Sequence, residues 1–274
     1  MARRQRDRRE GRAIDILTLV LIGAFAGVMA GLLGIGGGAV IVPVLALLFE
    51  HRGVDPDVIM HCAIGTSLAT IAFTALASIR THHAHGAVRW PAFRQLTPGI
   101  VAGGLLGAAI ADALPGPTLK RMFAAFLLLI AVQMARGWAT QAKRHLPGRA
   151  AMFAAGGVIG TLSSLFGVGG GSMSVPFLTW CGVPAREAVA TAAAIGFPIA
   201  LTGALGYIIA GWNADGLPPW SIGYVTLPAF AGIVIASMLS APWGARLAHR
   251  LPEATLRRIF AVFLAAIGIY MLVR

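Results

Sequence analysis

Few residues in this sequence are placed to do covalent chemistry. The ten carboxylates are Asp7, Glu10, Asp15, Glu50, Asp55, Asp57, Asp112, Glu187, Asp215 and Glu253, and each lies at or beyond the edge of an apolar run. An acid inside such a run would mark a proton or cation relay. Their placement disfavours cation transport and fits an anionic cargo. His82, His83 and His85 sit in THHAHGAVRW without cysteine or carboxylate companions, the pattern of a solvated basic loop more than of a metal site. Cys62 and Cys181 have neither metal-ligand nor redox spacing and read as small apolar residues. His61 differs, because DVIMHCAIGTS puts it a turn before Thr66 within an apolar span. Imidazole is costly there unless it faces a cavity or a partner. It is the candidate carrier of a coupling proton, with interfacial placement the alternative.

What remains for binding is backbone and hydroxyl. LFGVGGGSMSVPFL, residues 165–178, holds four glycines in five positions and then Pro176, all in apolar context. A helix broken in hydrocarbon survives only where protein or a water-filled cavity surrounds it. Glycine permits left-handed backbone and close approach of a ligand. A helix resuming after Gly171 offers free N–H groups and the positive end of its dipole, which together favour an anion. Pro176 removes one further intrahelical bond, and Ser172 and Ser174 add hydroxyls. No Gly-Lys-Ser/Thr follows, so this is not a nucleotide phosphate loop. Close helix packing is the competing role for such glycines.

The stretch occurs twice. LLGIGGGAVIVPVL, residues 32–45, matches it at an offset of 133 with 8 identities in 14. TLKRMFAAFLLLIAV, from Thr118, matches TLRRIFAVFLAAIGI, from Thr255, with 8 in 15, and IGTSLAT around Thr66 weakly answers VATAAAI around Thr191. In the first copy Ala39 and Ile41 replace the serines. Duplicated halves are habitual in secondary transporters. The candidate binding residues are therefore Gly36, Gly37, Gly38, Thr66 and Ser67, with Gly169, Gly170, Gly171, Ser172, Ser174 and Thr191 from the second half. No catalytic residue, metal or cofactor is assigned.

These residues need membrane helices to hold them. The chain is 57% hydrophobic and 12% charged, with mean hydropathy +0.79, whereas soluble domains carry about 25% charged residues. The expected class is an all-α polytopic membrane protein of two homologous repeats. The net charge of +12 is spread over a basic tail and the loops between apolar runs, a topogenic pattern rather than a nucleic-acid surface. Residues 1–13 form the tail, 14–137 the first repeat, 138–149 a basic cytoplasmic linker and 150–274 the second repeat. Each repeat has five apolar segments, and the second of each set has only 10 or 11 residues. That is about 15–17 Å of helix against a hydrocarbon core of about 30 Å. Re-entry of those two segments leaves eight crossings. Eight crossings put 14 of the 22 basic residues inside and 8 outside, whereas ten would put 10 inside and 12 outside. The charge rule thus favours eight, with both termini cytoplasmic, although the cluster Arg246–Arg258 fits that scheme poorly.

Two copies of GxGGG-x4-P, each followed by a span with a threonine near its start, resemble the sulfite exporter TauE/SafE family, also called TSUP permeases. The carriers are Gly34–Gly38 with Pro43, Gly65-Thr66-Ser67, Gly167–Gly171 with Pro176, and Thr191; Ala190 stands where a counterpart of Gly65 would be. The resemblance runs from about residue 14 to 273. It implies movement of sulfite, sulfonates or related small carboxylates across the plasma membrane, in the export direction, with a small anion and the lipid bilayer as partners. A passive anion channel and a membrane-embedded enzyme acting on a lipid stay open as alternatives.

Overall fold

The computed structural model describes residues 20–21, 23–28, 37–84, 86–136, 146–248 and 253–273. Long apolar runs with few breakers give long helices. In chain order these are α1 (Gly38–His51), α2 (Pro56–Ala84), α3 (Trp90–Asp112), α4 (Gly116–Arg136), α5 (Arg149–Leu165), α6 (Gly171–Trp180), α7 (Ala185–Ala210), α8 (Leu227–Ala248) and α9 (Glu253–Val273). Residues 23–28 are also helical. The one departure from an all-α chain among the described residues is a two-residue antiparallel pairing of Ser221–Ile222 with Val225–Thr226, just before α8.

Three helices, α2, α4 and α7, are long and apolar enough to cross a bilayer, and shorter apolar helices cover Gly38–His51, Leu227–Ser240 and Arg258–Val273. Many large apolar side chains face outward: Ile209 is 71% exposed, Leu239 71% and Val262 69%. Water does not tolerate so extensive an apolar surface; lipid does.

Glycine decides which helices touch. α3 packs most extensively on α5. A Cβ on Gly99, Gly103 or Gly107 would run into the carbonyl of Phe153, Gly157 or Thr161 in turn, and one on Gly156 or Gly160 into Leu96 or Ile100. The contacts climb both helices in the same order, so α3 and α5 are parallel. Small residues allow this close backbone approach, which is how helices associate where lipid removes the hydrophobic drive. Gly23 and Gly27 meet Ile233, Ala236, Ser237 and Ser240 of α8 in the same parallel manner.

Other contacts fix the remaining directions. Gly65 lies against Tyr207, Leu68 against Gly203, and Ile71 and Ala72 cluster with Ala200. α2 and α7 therefore run antiparallel. Gly104 meets Thr202 and Ala108 meets Gly206, so α3 and α7 are parallel. Gly116, at the start of α4, sits on the Pro56 and Asp57 backbone, and Tyr270 to Val273, ending α9, line a cleft with Gly116, Lys120 and Arg121. α4 and α9 are antiparallel as well. α3, α5 and α7 thus begin at one face of the molecule, here the α3 face. α2 and α4 begin at the opposite, α2 face, where α9 ends.

These directions correct the expected eight crossings with termini and linker on one side. That scheme needs α2 parallel to α7 and α5 antiparallel to it, and neither holds. The length argument counted helix alone. α6 begins at mid-depth, where Gly170 touches Ala192 and Gly196 of α7, and its distal end joins Leu178 and Val183 to Ala92 and Met152 near the starts of α3 and α5. Together with the loops flanking it, this short helix returns the chain to the face from which α5 set out.

Two predictions follow from this packing and these directions. Reporter fusions inserted between residues 137 and 145 and placed after Val273 should report opposite sides of the membrane; a common side would contradict the helix directions. Gly103→Ala should lower the melting temperature of the purified protein by several degrees, since overpacking costs about 1–3 kcal/mol. Gly157→Ala, whose Cβ has only the Gly99 carbonyl at 3.9 Å, should not. Equal effects at both positions would contradict the α3–α5 contact described.

Candidate anion site

The two glycine-rich stretches meet at the centre of the molecule. Gly37 has φ 70° and begins α1, its carbonyl accepting from the amides of Val40 and Ile41 at 3.0 and 2.9 Å. Gly167 has φ 63° and turns the chain out of α5, with the Val168 amide bonded to the Ser163 carbonyl at 3.0 Å. These two positions need left-handed backbone, which only glycine adopts without strain. Gly38 has no room for a Cβ because the Gly167 carbonyl occupies that space and Val168 Cα would lie 2.9 Å away. A Cβ on Gly167 would stand 2.9 Å from Val42 and 3.0 Å from Ile64. Ser67 locks the contact, its hydroxyl donating to the Gly167 carbonyl at 3.0 Å in a fully buried setting.

α1 and α6 start at this contact and diverge, α1 toward the α2 face and α6 toward the α3 face. Their positive dipole ends therefore converge. In α6 the Ser174 amide donates to the Gly170 carbonyl at 2.8 Å. The preceding amides, of Gly171, Ser172 and Met173, have no acceptor within the helix. Such a terminus suits an anion, and no carboxylate lies in the described residues around it.

The hydroxyls divide into two groups. Thr66 Oγ1 accepts from the Thr226 amide at 3.0 Å, and Thr191 Oγ1 accepts from the Arg89 amide at 2.9 Å. Thr226 immediately precedes α8 and Arg89 immediately precedes α3. Each threonine therefore ties its own half to a helix start in the other. The second group is Ser163, Ser164 and Ser174, which are 1%, 0% and 0% exposed and whose hydroxyls have no hydrogen-bond partner. Ser172 is buried too and reaches only the Gly169 carbonyl, at 3.5 Å. An unmatched buried hydroxyl costs about 1–3 kcal/mol, and helical hydroxyls ordinarily escape it by bonding back to their own helix, as Thr70 does to Thr66 and Thr202 to Pro198.

Ser163 and Ser164 escaped the sequence reading. Their signal was present as two adjacent hydroxyls directly ahead of the glycine run. At the 133-residue offset the four serines of the second break correspond to Ala30, Gly31, Ala39 and Ile41, so the hydroxyls belong to one half alone. Gly36 lies outside the described residues.

His61 sits one turn from Ile64. It is 3% exposed, with Nδ1 2.9 Å from the Asp57 carbonyl and Nε2 2.9 Å from the Ala111 carbonyl. Its ring lies 4.9 Å from that of Tyr224. A neutral imidazole donates one hydrogen bond and an imidazolium two, so the second carbonyl gains a donor only on protonation. Tyr224 in turn donates to the Asp112 carboxylate at 3.0 Å. Burial first, and then that bond, push its phenol up to about 12, keeping it a donor. Away from this centre, His83 Nδ1 accepts from Trp90 at 3.3 Å, and His85 lies outside the described residues. Arg89 pairs with Glu187 at the α3 face.

Comparison with known proteins gives the family. The family described as sulfite exporter TauE/SafE matches residues 19–271. A probable membrane transporter protein of Haemophilus influenzae is 35% identical over 260 residues, covering 94% of this chain and 98% of that one. A probable membrane transporter protein of Methanocaldococcus jannaschii is 29% identical over 258 residues, covering 93% and 94%. A third, YunE of Bacillus subtilis, is 30% identical over 218 residues, covering 72% and 80%. No solved structure matches the chain. With the match spanning both glycine breaks and every helix around them, this chain belongs to the sulfite exporter TauE/SafE family of membrane transporters.

Proposed function

We propose that the protein is a secondary transporter of small oxyanions, sulfite or a small sulfonate among them, exporting them across the plasma membrane. The observation that carries this reading is the pair of helix starts on either side of the Gly38–Gly167 contact, with three buried serine hydroxyls without a partner in and just ahead of the second break. The anion lies at the second break, held by the first amides of α6 with Ser172 and Ser174, beside the backbone of Gly169, Gly170 and Gly171. Gly37 and Gly38 supply the opposing helix start. Thr66, Ser67 and Thr191 hold the surrounding helices in place, and Thr66 retains its own O–H as a donor toward the anion.

The two halves form an inverted repeat of five segments each. Support comes from the antiparallel pairs α2 with α7 and α4 with α9, whose members the internal match equates. An inverted repeat makes the two faces near-equivalent. Rocking one half on the other about the glycine contact then opens the site to each face in turn. The tie of Arg89 to Glu187 and Thr191 closes the α3 face, and that of Thr226 to Thr66 the α2 face. His61 carries the coupling proton, exchanging one carbonyl bond for two as it is protonated.

Purified protein in liposomes should move sulfite or a taurine-like sulfonate and leave rubidium untouched. Rubidium flux with no response to any oxyanion would overturn the reading. Ser174→Ala should weaken apparent affinity for the transported anion about 10- to 100-fold, the worth of a hydroxyl bonded to a charged group. Because that hydroxyl bonds nothing within the protein, the melting temperature should hold or rise. Unchanged transport alongside a lowered melting temperature would assign Ser174 to packing instead.

A further inference from the structure

A second feature faces outward at the α3 face. Where α3 and α5 begin side by side, Pro91, Arg94, Gln95, Pro98, Arg149 and Phe153 line an open cavity of about 610 Å³. Arg94 and Arg149 are exposed and have no carboxylate partner among the described residues. Neither helix start supplies a compensating charge, since neither has an acidic residue in its first turn nor a side-chain cap. Two guanidiniums beside two parallel positive dipole ends repel one another, which leaves the pocket in want of an anion. Its remaining walls are apolar. Phe153 is 50% exposed, and the outward apolar surface continues along both helices through Val101, Leu105 and Val158. A soluble anion would leave that surface unused. We propose that this pocket holds an anionic phospholipid, its phosphodiester between Arg94 and Arg149 and an acyl chain laid over Phe153 along the α3–α5 seam.

The chemistry favours a lipid of net negative charge. Guanidinium pairs grip phosphate oxygens in forked geometry, and basic pockets between membrane helices recruit acidic headgroups. A zwitterionic headgroup would bring its own ammonium toward the arginines. The site is remote from the glycine breaks, so it stands or falls independently of the transported substrate. Its consequence is mechanical: the seam it clamps joins α3 of one half to α5 of the other.

The full chain, purified in detergent, should be titrated with phosphatidylglycerol, phosphatidylcholine and inorganic phosphate, reading lipid adducts by native mass spectrometry and stability by melting temperature. Phosphatidylglycerol should bind and raise the melting temperature, and the other two should not. Arg94→Gln with Arg149→Gln should weaken phosphatidylglycerol binding about tenfold or more, while Arg80→Gln, on the exposed end of α2, should leave it unchanged. If the double variant does not fold, Arg149→Gln alone carries the comparison. Equal stabilisation by phosphatidylcholine, a matching effect of inorganic phosphate, or undiminished binding in the arginine variants would overturn the proposal.

Discussion

The approach of Gly38 to the Gly167 carbonyl is the constraint on which the rest of the molecule depends. It brings backbone against backbone at mid-depth, where any side chain would force the halves apart. Because the contact lies between two chain breaks, it leaves two short helices pointing away from each other with their amide ends facing inward. In water such ends are cheaply solvated. Inside a bilayer they are not, so they must bond to protein or to something bound. Ser67 satisfies the Gly167 carbonyl, and in the proposed site the first amides of α6 bond the anion. The same geometry that makes the centre difficult to build thus favours negative charge there.

Around that centre the second half carries the hydroxyls, and the proposed site lies there. The hydroxyls of Ser163, Ser164, Ser172 and Ser174 have only apolar residues or glycine as counterparts in the first half. On the proposed inverted-repeat reading, so one-sided a lining presents one substrate to two faces without binding two copies of it. Thr66 and Thr191 have the opposite character, making matching cross-ties on the two sides of the centre. Their hydroxyls are part of the frame, and the serines are what the frame surrounds.

Much of the frame was legible from the residues alone. Apolar runs marked the helical segments, and the doubled GxGGG-x4-P marked where α1 and α6 begin. Direction was not legible, since a ten-residue helix looks too short to return the chain until one sees that it starts halfway across. Charge counting could not correct this, because the two schemes differ mainly in where the same loops fall. The threonine ties were hidden by distance, joining residues 160 and 102 positions apart. The orphan serines were hidden for a subtler reason. A hydroxyl in an apolar helix usually bonds its own backbone, as Thr97 and Thr179 do, and sequence cannot say which ones decline to.

The central claim is that the anion sits where the two breaks meet. A structure determined with selenite, whose selenium scatters anomalously, tests it most directly. The account predicts one selenium peak, with its selenite oxygens within hydrogen-bond distance of the Ser174 hydroxyl and the first amides of α6. A peak held instead by Lys120 and Arg121 in the cleft at the α2 face, with the glycine contact unoccupied, would contradict it.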